Sequence, residues 1–248
     1  MSTVVEWSVD LIGHSLDLED LPLWTTGTYP FVVRNGDVFS LRIPAKLVGS
    51  SAEHVRPYAL DALDHLNGVG RLLNPSFRSL AVVNRTQGID AQGVIVSTSV
   101  EVGGAELRVK AGLLVGSVNG IAQSDPIEGA AAPLLQAARR SVRAHDALVI
   151  LGRPSLTWAE IYLVFELVEG HVGGKMFEYG WIAKPDVDLL SRTANSYSVL
   201  RSAGRHGKDR GSPPRSPMPH GTAASLVRHL VLQWLKHISK QSEERSDG

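Results

Sequence analysis

The hydrophobic pattern of this chain changes its period once, and that change limits the folds open to it. Up to about residue 125, apolar residues alternate or cluster as β-branched runs, the pattern of strands with one buried face. Residues 4–12, 31–43, 80–83 and 93–102 read this way, and 106–118 continues it with Leu107, Val109, Leu113, Val115 and Val118. Asn35-Gly36 followed by Asp37 marks a hairpin, because a type I′ turn needs positive φ at both central residues. One helix interrupts the strands: residues 54–66 place Tyr58, Leu60, Leu63 and Leu66 near one face and stop at Asn67-Gly68. The expectation is an antiparallel sheet with one face covered by that helix.

Beyond Pro126 the period becomes helical. Residues 129–149 hold Ala130, Leu134, Leu135, Ala138 and Val142 at helical spacing, with Arg139, Arg140 and Arg143 towards the other side. Thr157 and Glu160 form a capping box that opens a helix through Val168, with Trp158, Ile161, Tyr162 and Phe165 on its apolar face. Gly173-Gly174 ends it. A third helix is expected over 186–200 and a Gly/Pro/Ser/Arg-rich loop over 204–221. A final helix over 222–239 has Leu226, Leu230, Trp234 and Ile238 on one stripe, and a polar tail from 241 is expected to be disordered. The fold class is therefore α+β: a β-rich domain over 1–124 and a helical domain over 125–240.

Charge follows the same division. Residues 1–125 carry nine Lys/Arg and thirteen Asp/Glu, and 126–248 carry sixteen and twelve, so a chain of zero net charge is split into −4 and +4. The excess concentrates between Arg192 and His237: eight Lys/Arg against Asp209 alone, with His206, His220, His229 and His237 among them. A local field of +7 favours an anionic partner such as RNA, a nucleotide or phosphate.

Composition removes other chemistries. With no cysteine there is no disulfide framework and no thiolate metal site or nucleophile. The N-terminus lacks the basic n-region and apolar run of a secretory signal, and no apolar stretch reaches the roughly 18–20 residues of a membrane helix. A cytoplasmic protein without membrane association is expected. No nucleotide-loop, nucleophile-elbow or zinc-protease motif occurs. Asp61 and Asp64 share a helical turn and read as a solvated face. His229 and His237 share a face without an accompanying acid, so neither a metal nor a cofactor is expected.

The sharpest local feature is the loop Arg205-His206-Gly207-Lys208. His206 can act as acid or base near neutral pH, with Arg201 and Arg205 placed to stabilise charge on phosphate. If the preceding helix continued, Arg201 and His206 would lie on roughly adjacent faces. Lys208 and Arg210 add phosphate-binding charge, and Arg139, Arg140 and Arg143, with His145, form a second basic cluster that could face the first across a groove. The plain alternative in both places is a solvated basic surface.

Thr193-Ala194-Asn195, then Arg205-His206-Gly207, then Pro213-Pro214 and Ser216-Pro217-Met218 before an amphipathic helix resemble the C-termini of a group of bacterial proteins. The region between Trp158 and Trp181, with Val172-Gly173-Gly174 and Gly180-Trp181, is similar to the same group. Such C-termini resemble the helical HEPN superfamily, over about residues 128–240 here. That resemblance implies a bundle carrying a short arginine-to-histidine motif, often in RNA-cutting toxins and phage-defence proteins, and active as a homodimer. Carried over, the motif is Arg201 and His206, with Ser202 where an amide or acid is common and Gly204 inside the spacing. Some members are noncatalytic, so an interaction or dimerisation module and a nucleotide sensor stand beside the ribonuclease as readings.

Overall fold

The computed structural model describes residues 3–100 and 127–246. The strand expected over 106–118 and the boundary expected at 124–125 lie outside these residues.

The expected α+β architecture is what the chain adopts. Strands β1 (Glu6–Ile12), β2 (Phe31–Asn35), β3 (Val38–Pro44), β4 (Ala81–Ile89) and β5 (Ile95–Val100) form one antiparallel sheet in the order β2-β3-β1-β4-β5. Alternation aims Trp7, Val9 and Leu11 into the core from the central strand, with Phe39, Leu41 and Ile43 beside them on β3. The β2–β3 loop is shifted by one residue from expectation. Asn35 pairs with Val38, so Gly36 and Asp37 form the turn, and only Gly36 has positive φ. The turn is therefore not type I′.

Among the described residues two multi-turn helices and a single-turn one, not one helix, lie between the strands. Helix α1 (Ser15–Trp24) buries Leu18, Leu21 and Trp24 at spacings of three, with Asp17 accepting a hydrogen bond from the Arg78 backbone N–H at 3.2 Å. After the single-turn helix α2 (Ala45–Val48), α3 spans Val55–Leu73 and contacts β1, β3 and β4. It does not stop at Asn67-Gly68. Asn67 is buried and its side chain holds both backbone groups of Leu80, accepting from N–H at 2.8 Å and donating to C=O at 3.2 Å. Gly68 stays in the helix because another backbone crosses there: a Cβ would meet the Leu148 carbonyl oxygen at 2.3 Å. Leu60, expected on the buried face, is 43 % exposed, while Ala59, Ala62, Leu63 and Leu66 face inwards.

The helical half differs from expectation mainly at its breaks. The helix expected over 129–149 is two, α4 (Ala132–Arg140) and α5 (Val142–Leu151), separated by an extended Ser141 whose hydroxyl accepts from Ala144 N–H and caps α5. Helix α6 (Trp158–Val172) opens on the expected capping box, with both reciprocal bonds between Thr157 and Glu160 present, and ends at Gly173 with φ +59°. A single turn, α7 (Lys175–Glu178), precedes α8 (Lys184–Ala194), which stops at Asn195 rather than running to 200. A further turn, α9 (Tyr197–Leu200), leads into the basic loop, and α10 (His220–Ser246) closes the fold, continuing through most of the tail expected to be disordered. Helix α10 packs on α4 and α6, and α3 packs on α5. Buried residues of the sheet and of the helices thus belong to one continuous core. No helix among the described residues is long and apolar enough to cross a membrane.

Candidate functional sites

The basic loop is held by hydrogen bonds from its backbone N–H groups to the end of α8. Thr193 Oγ1 accepts from Met218 N–H at 3.1 Å, the Ala194 carbonyl from Arg205 N–H at 3.2 Å, and the Asn195 carbonyl from Arg210 N–H at 3.1 Å. Three consecutive residues therefore hold three points of a loop 11 to 25 positions further along. Asp209, the one acid of the basic segment, accepts from the Ser198 backbone N–H and hydroxyl at 2.8 and 3.0 Å. Arg192 donates to the carbonyls of Ser212 and Pro213. Residues that read as a sequence motif are, in space, one clamp and the loop it grips.

Inside this clamp His206, Gly207, Lys208 and Arg210 line a hollow of about 330 Å³. His206 is half-buried, and Lys208 and Arg210 are exposed. Partial loss of hydration, then the charges of Arg210 and Arg205, push the His206 imidazole below its usual value; Glu166 opposes them and Lys208 adds to them. The shift favours the neutral ring, the form that accepts a proton.

Arg205 has other partners. Its guanidinium donates to Glu166 Oε2 on α6 at 3.0 Å and lies 4.5 Å from the centre of the Tyr162 ring. Arg201 does not share a helix with His206. The helix ends at Leu200, Arg201 has φ +54°, and Gly204 is extended. The exposed Arg201 side chain sits 5.9 Å from the Tyr197 ring centre. Of the five residues expected to act together, three meet at the hollow (His206, Lys208 and Arg210), while Arg201 lies against Tyr197 and Arg205 against Glu166, neither of them lining it.

The second basic cluster diverges. Arg139, Arg140 and Arg143 are exposed, and none lines the His206 hollow. Arg143 lies against Gly170 on α6. Arg139 lines a different pocket.

No match emerges when the chain is compared with protein-family models, curated proteins and solved structures.

The pocket reached by Arg139 has a volume of about 260 Å³ and lies between α3, α4 and α5. Its polar lining is Tyr58, Asp61, His65, Arg139 and His145, against Pro30, Ala62, Leu66 and Leu135. His65 Nε2 and His145 Nδ1 are 2.8 Å apart, with rings at 74°. Asp61 stands 3.7 Å from His65 and 3.9 Å from His145. His65 is 9 % exposed, and its burial pushes the imidazole below its usual value, with Asp61 opposing and His145 and Arg139 adding to the shift. The sequence held half of this signal: Asp61 and His65 are i and i+4 on one helix. The other half, His145, lies 80 residues away and meets them only because α5 crosses α3.

Proposed function

We propose that the loop over 204–210 binds RNA and cleaves it as a metal-independent endoribonuclease of HEPN type. What supports this reading is one observation: a half-buried histidine shares a hollow with Lys208 and Arg210. Two cations hold a phosphate, and an imidazole beside them takes the proton of the adjacent ribose hydroxyl. That oxygen attacks phosphorus as the bond to the 5′-oxygen breaks. The products are a 2′,3′-cyclic phosphate and a 5′-hydroxyl whose proton comes from a general acid. Arg201, exposed three positions before the loop, adds charge to the phosphate, and Arg205 holds the loop to α6 while raising the local potential. Pairing of two copies, as the HEPN resemblance implies, sets two histidines at one composite site, one as base and one as acid. Cytoplasmic RNA is the expected substrate, and phage defence or a toxin system the expected setting.

The break after Leu200 favours a second reading, in which the same loop is a noncatalytic RNA- or nucleotide-binding and dimerisation surface. The deciding experiment is cleavage of RNA in EDTA by the wild type and by His206→Ala. Cleavage lost only in the variant supports the enzyme, and equal activity in both overturns it. RNA binding without cleavage, steeply weakened by salt as phosphate contacts require, supports the binding module.

A further inference from the structure

The pocket between α3, α4 and α5 carries an arrangement that the ribonuclease reading does not use. We propose that Asp61, His65 and His145 form a three-ligand site for a divalent transition ion, zinc foremost. Two imidazoles and one carboxylate are a donor set suited to zinc, nickel and cobalt, with a further coordination position left open.

The geometry is close to what such an ion needs. One ligand atom from each residue lies within 4.8 Å of the other two. Bonds of about 2.0–2.1 Å in a tetrahedral site place ligand atoms roughly 3.4 Å apart. The rings meet through His65 Nε2 and His145 Nδ1 at 2.8 Å, whereas Asp61 is 3.7 Å from His65 Nδ1 and 3.9 Å from His145 Nε2, so each imidazole has one nitrogen turned to the other ring and one turned to the carboxylate. Closing a single set of three from 4.8 Å or less to the tetrahedral spacing takes rotation of the exposed side chains, which have room to turn. Asp61 is 55 % and His145 38 % exposed at the side chain, while the buried His65 is the fixed member. Asp61 and His65 come one turn apart on a single helix, so their spacing is set before any ion arrives.

The surroundings suit a site rather than a packing contact. His65 occupies the inner face of α3 among Ala62, Leu66 and Val69, where an apolar side chain would be the ordinary occupant. The cluster opens into the 260 Å³ pocket instead of being sealed, and Tyr58 and Arg139 stand on its wall. An ion at the three ligands would face that space with its open position, and Arg139 supplies a positive charge there for an anionic fourth ligand. Because the ligands come from α3 and α5, a bound ion would also tie the helix under the sheet to the helical half.

The test is titration of untagged full-length protein, first stripped with a chelator, with Zn²⁺ by calorimetry and with Co²⁺ by visible absorption. Expected are one ion per chain and Co²⁺ bands of a low-coordinate site. His145→Ala and Asp61→Asn should each weaken binding by about tenfold or more, whereas His206→Ala should bind as the wild type does. Both exposed-ligand variants are checked for folding by thermal melts, which leaves the buried His65 intact. Absence of stoichiometric binding, or binding that His145→Ala and Asp61→Asn leave unchanged, would overturn the proposal and leave the histidines as a hydrogen-bonded structural pair. Neither result depends on whether the His206 loop cleaves RNA.

Discussion

Arg205 and Glu166 join the basic loop to α6: a guanidinium from the loop meets a carboxylate 39 positions earlier at 3.0 Å, with the Tyr162 ring beneath it. Both side chains are partly exposed, so the pair contributes little to global stability. Its expected effect is local. Glu166→Gln should raise amide hydrogen exchange across residues 204–210 while lowering the melting temperature by no more than about 4 °C, the effect of a surface pair. Unchanged exchange in the loop would show that the clamp formed by the Thr193 hydroxyl and the Ala194 and Asn195 carbonyls holds it without this pair.

The pH dependence of RNA cleavage follows from the cations around His206. A histidine whose value is pushed below 6.5 stays an available base as pH falls through 6.5, and it is lost only at lower pH. The acid limb of the rate profile should therefore lie below 6.5. Removing a cation in Arg210→Ala should move that limb upwards, towards 6.5, alongside weaker RNA binding. A limb that stays put or moves down would mean that His206 is not the titrating base.

Gly68 gives a prediction whose sign is decided by packing. In an exposed helix, Gly→Ala stabilises by up to about 1 kcal/mol. Here the new Cβ would stand 2.3 Å from the Leu148 carbonyl oxygen and 2.9 Å from its carbonyl carbon, both backbone atoms of α5. Gly68→Ala should therefore destabilise by about 1–3 kcal/mol. The melting temperature should fall by several degrees, at roughly 2–4 °C per kcal/mol for a chain of this size. A rise would show that α3 and α5 do not cross as described.

Arg228 runs the other way. It is half-buried on α10, its Nε is buried without a hydrogen-bond partner, and Arg71 repels it from α3. Burial pushes its guanidinium below the usual arginine range. Arg228→Met keeps the volume of the stem and removes the charge, so the melting temperature should rise by a few degrees, corresponding to about 1 kcal/mol. A fall would assign the guanidinium a favourable contact.

Local signals were legible wherever a residue acts on its own neighbours. The Thr157–Glu160 box needs only a hydroxyl and a carboxylate three residues apart, and α6 begins where it says. The alternation of Trp7, Val9 and Leu11 gave the central strand in the same way. Where the reading went astray, a distant partner had overridden a local preference. Asn67-Gly68 looks like a helix end, yet Leu80 satisfies the asparagine and α5 occupies the space above the glycine. The segment 129–149 reads as one amphipathic helix, yet it breaks at Ser141, where the hydroxyl supplies a new cap. The helix expected over 186–200 ends at Ala194, where the carbonyls of Ala194 and Asn195 accept from the loop.

The sequence by itself determined the α+β class, the hairpin, the cap of α6 and the concentration of positive charge after Arg192, since each depends on periodicity, turn chemistry or counting along the chain. Only the tertiary structure decided that His206 shares its hollow with Lys208 and Arg210 while Arg205 is held by Glu166. Only it set His145 beside His65 and Asp61, across 80 residues of chain. The reason is physical: side-chain chemistry acts over a few ångströms, and which distant residues come that close depends on how the helices pack over one shared core.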